Sequence, residues 1–277
     1  MTLAVAWIRR IRDVEELVIA TDSRLRFGCA WDCCPKTFPL PRGDAAICFA
    51  GGTMYAYPLL LQIRSAVEFH RRSLNRAQDL TDLKGHLLRV MNDMCSQIDD
   101  LPVGQTDPER PDAYFLLGGY SWKHHRFVLW TIHFDAHLKK FTFRPAKPWP
   151  GVKGKRLFAI VGDCVDEAKR RLVALLKGKG KLTTGGFDME PFEVLRDMIR
   201  ERVDPRIGGP PQVVKVYRHL NATPYGVYWP KKKGGRVTLL GRPLLDYERT
   251  QSLVLDPDDL KADPTWRYES EGEPADD

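Results

Sequence analysis

The chain has 277 residues, 43% hydrophobic and 29% charged, with a formal net charge of +7 at pH 7. That length supports a full core in one large domain or two small ones, and the composition is ordinary for a globular protein. No apolar run approaches the roughly 18 residues a membrane helix requires, and Arg9, Arg10 and Arg12 follow the short apolar start where a secretory signal would have them precede it, so a cytoplasmic location without a membrane partner is expected.

Met1 is normally trimmed when a small residue follows, which would leave Thr2 with a free amine and a hydroxyl on one residue. An α-amino group titrates at roughly 7.7–8.0, close enough to working pH to take the hydroxyl proton and later return it. The alternative is an ordinary N-terminal strand. Thr2 to Ile8 is apolar, Arg9 to Glu16 reads as a polar turn, and Leu17 to Ala20 is a second apolar run, which predicts a hairpin. It ends in Thr21-Asp22-Ser23-Arg24, an acid and a base behind a buried strand, where polar side chains need a reason to be.

Pro35 to Leu40, a turn at Arg42-Gly43-Asp44, and Ala45 to Ala50 predict a second hairpin. Gly51 and Gly52 separate it from a helix that starts at Thr53 and runs through Tyr57, Leu60, Ile63 and Val67 to His70. These glycines make a tight strand-to-helix turn or offer backbone N–H groups to an oxyanion. A second helix is expected over Leu80–Ile98, with Leu83, Leu87, Leu88 and Met91 as a core stripe.

Strands follow at Ala113–Gly119, Arg126–Phe134 and Phe141–Arg144, with His124 and His125 at a surface turn, and then a Pro- and Gly-rich crossing over Pro145–Gly154. Leu157–Val161 is a short strand ending in Gly162-Asp163-Cys164 before a helix along Val165, Ala168, Leu172 and Leu176. Asp163 reads as that helix's N-cap, which leaves room for a second role. A flexible basic loop is expected over Gly178–Gly186 and a helix over Pro191–Arg202. Asp204 to Gly209 breaks that helix, and strands follow at Gln212–Arg218, Gly226–Trp229 and Arg236–Gly241.

Residues 256–277 are acidic and Pro-rich and read as a loosely draped tail on a single domain spanning 1–255. The order of elements suits an α+β fold of two face-to-face antiparallel sheets with helices outside each.

Cys29, Cys33, Cys34, Cys48, Cys95 and Cys164 form no CxxC pair, so buried thiols are expected and no metal or other cofactor. The lysines at 177–181 and 231–233 read as solvated loop tips. Without a recognised motif or an aromatic-basic strip, nucleic acid is not an expected partner.

Taken in order, Thr2-Leu3-Ala4-Val5, Ala20-Thr21-Asp22-Ser23-Arg24, Pro35-Lys36-Thr37-Phe38, Phe49-Ala50-Gly51-Gly52-Thr53 and Asp204-x-x-Ile207-Gly208-Gly209 resemble successive landmarks of proteasome β subunits and their bacterial HslV-type relatives. These are N-terminal nucleophile hydrolases, and the resemblance, spanning about Thr2 to Trp229, implies their four-layer αββα sandwich.

It further implies that Thr2 is the nucleophile with its own amine as base. Lys36 would be the cation beside the hydroxyl, and Asp22 the group that holds Lys36. The Gly51 N–H would be the oxyanion donor, and Asp204 the acid that positions the N-terminal residue. Arg24, Gly52 and Asp163 stand beside these as accessory candidates.

The chain departs from the family at Gly162-Asp163-Cys164, where a Ser-containing Gly-Ser-Gly is usual, and at Ile207, where the family has Ser. A threonine-type peptidase working through an acyl-enzyme follows, with a peptide or protein substrate and assembly into a homo-oligomer. Any ATPase or unfoldase would be a separate chain, since no GxxxxGK[ST] motif is present. The alternatives are an amidohydrolase acting on a small amide and a catalytically silent subunit.

Overall fold

The computed structural model describes residues 2–105, 108–149, 157–182 and 186–263. Strand β1 (Leu3–Ile11) pairs antiparallel with β2 (Val14–Thr21) in unbroken register from Ala4 opposite Thr21 to Ile11 opposite Val14. The polar turn expected over Arg9–Glu16 is therefore only Arg12-Asp13, with Arg12 at φ 53°. Arg9 and Glu16 stay in the ladder because their charges are satisfied there: Arg9 pairs with Glu16 at 2.9 Å and with Asp188 at 2.5 Å.

A two-stranded ribbon, β3 (Leu25–Phe27) and β4 (Cys29–Trp31), follows. The second hairpin forms as expected from β5 (Thr37–Pro39) and β6 (Ala45–Gly51) and leads into α1 (Thr53–Glu68). A short α2 (Arg71–Leu74) and α3 (Leu80–Ser96) come next. Strands β7 (Ala113–Ser121), β8 (Arg126–Asp135) and β9 (Lys140–Pro145) then complete an antiparallel five-stranded sheet in the order β5-β6-β7-β8-β9.

The remaining strands join β1 and β2. They are β10 (Lys147–Pro148), β11 (Leu157–Gly162), β12 (Gln212–Tyr217), β13 (Asn221–Trp229), β14 (Arg236–Leu239) and β15 (Arg242–Pro243). The sheet order is β10-β11-β1-β2-β12-β13-β14-β15, with β16 (Val254–Leu255) beside β13 and β17 (Ala262–Asp263) beside β16. Its pairings are antiparallel except for β13 with β16. Helices α4 (Val165–Gly178) and α5 (Glu190–Arg200) lie between β11 and β12 in the chain. The protein is thus a mixed α+β fold with a large, mainly antiparallel sheet.

Along β1 the side chains alternate with the strand's period of two. Leu3, Val5 and Trp7 share a core with Leu172, Leu176, Phe192 and Leu195 of α4 and α5. Ala4, Ala6 and Ile8 point the other way and meet Ala46, Cys48, Leu116 and Leu129 of the five-stranded sheet. The far face of that sheet, with Phe49, Phe115 and Ile132, packs against Leu60, Ile63, Leu87 and Met91 of α1 and α3. Because β1 is buried on both faces, it reads as a continuous apolar run instead of alternating with polar residues.

Several expectations change on contact with this packing. Cys34 and Cys48 are buried, but Cys29 is exposed on the ribbon and Cys33, Cys95 and Cys164 are half-buried. The basic run is at the surface as expected, with Lys177 in the last turn of α4, while Lys179 and Lys181 reach Glu193 and Glu190 of α5. The stretch beginning at 256 carries β17 before the description ends at Asp263. The rest of the expected tail, 264–277, lies outside the described residues, as do Met1, 150–156 of the crossing and 183–185 of the basic loop.

Candidate active site

Thr2 precedes β1 and is fully buried. On one flank, Leu3 pairs with Gly162 at the end of β11. The Asp163 N–H donates to the Thr2 carbonyl at 2.7 Å, and the Thr2 N–H donates to Asp163 Oδ2 at 2.8 Å. Gly162 has φ 108°, and a Cβ there would lie 1.9 Å from the Thr2 carbonyl oxygen. Both the left-handed backbone and the close approach therefore require glycine. Gly162→Ala is expected to push Thr2 out of place, lowering the unfolding free energy by at least about 1–3 kcal/mol, as read by thermal melts.

On the other flank, Asp22 follows β2 and is fully buried. Its Oδ1 accepts from the Leu3 N–H at 3.1 Å and from Lys36 Nζ at 3.0 Å. Its Oδ2 accepts from the Arg24 N–H at 3.1 Å and the Gly208 N–H at 3.0 Å. Lys36, also fully buried, leads into β5 of the opposite sheet, and its Nζ donates to Thr2 Oγ1 at 2.6 Å. Burial pushes the Lys36 pKa below its usual value, while the charges of Asp22 and, more weakly, Asp163 pull it back up.

Gln212 on β12, which the sequence reading passes over, fixes the backbone around this pair. Its Oε1 accepts from the Lys36 N–H at 2.9 Å, and its Nε2 donates to the Cys34 carbonyl at 2.7 Å and to Ser23 Oγ at 2.9 Å. The sequence signal is slight: Gln212 opens the strand ahead of Val213 and Val214, and only its full burial shows why the amide is needed, since buried amides are kept for their hydrogen bonds. Gly208 was read only as part of a motif, and its N–H proves to be one of the donors to Asp22.

The expected N-cap role of Asp163 is not what forms. The N-cap of α4 is Cys164, at φ 57° and without a side-chain cap. Asp163 instead divides its carboxylate between Thr2 and Arg206, whose Nη1 lies 2.7 Å from Asp163 Oδ1.

Asp204 does not bond Thr2 directly. It pairs with Arg206, Nη2 to Oδ2 at 2.7 Å, and accepts from the Cys164 thiol at 3.0 Å. The Arg206 guanidinium holds the Asp204 carboxyl well below the usual range, and burial, followed by the hydrogen bond to Asp204, pushes the Cys164 thiol up to about 11. Arg206 thus joins Asp204 to Asp163, a link that spacing alone does not reveal because Asp163 lies 43 residues away. Ile207, where the family has Ser, is buried in the core beneath α4 and α5.

Gly51 ends β6 at φ 102°, where a Cβ would lie 2.2 Å from the Asp112 carbonyl oxygen. The Ala50 Cβ would be 3.1 Å from a Cβ on Gly162, so the end of β6 packs beside the strand end that touches Thr2. The Gly52 N–H donates to the Asp112 carbonyl and is committed to the turn. Arg24 contributes its backbone N–H to Asp22, and its side chain forms a two-pronged pair with Asp32 and lies against Gly208.

No protein-family model matches the chain, and no curated protein matches it. What the arrangement can do chemically is read from its own atoms: a hydroxyl beside a buried, carboxylate-paired ammonium, on a residue whose nitrogen faces a second carboxylate.

Proposed function

We propose that the chain is an N-terminal-threonine hydrolase, a proteasome-like peptidase that acts through an acyl-enzyme on Thr2 once Met1 is removed. One observation carries this reading: Lys36 Nζ, fully buried and paired with Asp22, stands 2.6 Å from Thr2 Oγ1. The packing supports it too, because the separate cores on the two faces of β1, with a third beneath α1 and α3, suit a four-layer αββα sandwich.

After trimming, the Thr2 amine takes the Oγ1 proton, directly or through a water, as the oxygen attacks the substrate carbonyl. Lys36 lowers the cost of the developing alkoxide, and Asp22 keeps Lys36 charged and in place. The Gly51 N–H is the donor assigned to the tetrahedral oxyanion. The amine then protonates the leaving nitrogen, giving an ester on Thr2, and activates the water that hydrolyses it. Asp163 holds the amine from the flank opposite Asp22, in the place of the family's Ser. A peptide or protein substrate, a homo-oligomer and a separate ATPase belong to the same proposal. Among the described residues no helix is long and apolar enough to cross a membrane.

The test is mass spectrometry of the intact protein and its peptides before and after a peptide epoxyketone, which needs both the hydroxyl and the free amine of an N-terminal Thr. A single adduct on Thr2, absent from Thr2→Ala, is the expected result. Retention of Met1 in the purified protein removes the amine from the mechanism and sinks the proposal.

A further inference from the structure

A cavity of ≈ 1250 Å³ opens between the edge formed by β8 and β9 and the edge formed by β10 and β11. Gly162, the residue packed against the Thr2 carbonyl, forms part of its wall, so the cavity lies on the β11 flank of Thr2, opposite Asp22. Arg144, Lys147 and Lys169 stand on its wall, and among the described residues none of the three forms an ion pair with the protein and no carboxylate lines the space.

His133 also lines it. The residue is buried, at 9% exposure, and its Nε2 has no hydrogen-bond partner. A buried ring nitrogen without a partner is costly in a finished protein and calls for one from outside. The remaining wall is largely apolar, with Trp149 and Phe158 packed edge to face at 4.8 Å.

We propose that this cavity is a recognition subsite for a carboxylate carried on an apolar segment, as in a peptide with an acidic side chain among aliphatic ones. The carboxylate is held by the Arg144 guanidinium and by the Nε2–H tautomer of His133, with Lys147 and Lys169 adding charge at the mouth. Charge-assisted bonds of this kind are the strong ones, and a guanidinium fork matches a carboxylate in shape as well as in sign. The apolar wall takes the segment that carries it. The identification of that segment with substrate rests on the hydrolase reading, because only then does the neighbourhood of Thr2 matter. The binding of an apolar carboxylate does not.

The experiment uses the full chain with Thr2→Ala, so that nothing turns over. Its probes are two acetylated, amidated hexapeptides of Ala and Leu that differ at one position, Glu in one and Gln in the other. Binding is followed by Trp149 emission, with Trp149→Phe as the control for the signal.

The Glu peptide is expected to bind at least about tenfold more tightly than the Gln peptide, and the preference should vanish in Arg144→Ala/Lys169→Ala, two substitutions at exposed positions that leave the core intact. His133→Phe, which fills the ring's place without its nitrogen, should weaken the Glu peptide alone. Equal binding of the two peptides, a preference that survives the double substitution, or displacement of the Glu peptide by millimolar inorganic phosphate each overturns the carboxylate assignment. The outcome is separate from the epoxyketone result: a failed adduct with the Glu preference intact would sink the hydrolase and leave the subsite standing.

Discussion

On the proposed hydrolase reading, Lys36→Met is expected to lower kcat/KM for a peptide substrate by a factor of about 10²–10³ per folded molecule, the loss typical when one preorganised charge or donor at a developing oxyanion is removed. Met keeps most of the length and apolar stem of Lys and loses only the ammonium that sits 2.6 Å from Thr2 Oγ1. Stability falls as well, because Asp22 is left without its counter-charge, and breaking one half of a buried pair costs about 3–5 kcal/mol. The low end of that range is expected. The Leu3, Arg24 and Gly208 N–H groups still hold the carboxylate, and burial of the Lys36 charge is itself unfavourable. Melting curves and turnover measured on the same samples separate the effects. A variant that melts lower yet turns over at the wild-type rate per folded molecule shows that Lys36 serves only as structure.

The parts of this site that were legible in the sequence are those in which chemistry and local pattern coincide. Thr2 follows Met1, and Asp22 and Lys36 are charges next to apolar strand ends, each a residue that burial would penalise without a partner. Periodicity found both N-terminal hairpins and the helix from Thr53, since those depend on neighbours in the chain.

What escaped depends on long-range closure. Arg206 looks like one residue of a turn until α4 and α5 bring it to Asp163, and Gln212 looks like the polar start of a strand until β12 pairs with β2 and places it beneath Lys36. Asp163 was misassigned for a related reason. An acid before a helix is a good cap by local rules, but here the buried Thr2 N–H and the Arg206 guanidinium compete for it and win. The stretch Arg9–Glu16 looks like a polar turn in the sequence, whereas Arg9 and Glu16 pair with one another within the ladder.

Asp22→Asn separates the two duties of that carboxylate, structural and electrostatic, by giving them opposite pH dependence. An amide can present its oxygen to Leu3 N–H and Lys36 Nζ, but its NH₂ then faces the Arg24 and Gly208 N–H groups, donor against donor. Each orphaned N–H costs about 1–3 kcal/mol, so the fold loses about 2–6 kcal/mol.

The Lys36 pKa, already below its ordinary value of 10.5 through burial, falls further without the Asp22 charge that pulls it up. Without the nearby opposite charge, less offsets burial, and the neutral form is favoured further. If the protonated Lys36 amine is the form that serves Thr2, the alkaline limb of kcat/KM lies below 10.5 in the wild type and moves further toward neutrality in the variant.

Stability runs the other way. Between the folded and unfolded pKa values of Lys36 the unfolded chain binds more protons, so unfolding free energy rises with pH up to about 10.5 and is smallest on the acid side. Activity that falls with rising pH in the range where the variant grows more stable cannot be a by-product of unfolding. An alkaline limb that stays where it is in the wild type would show that the proton being lost does not belong to Lys36.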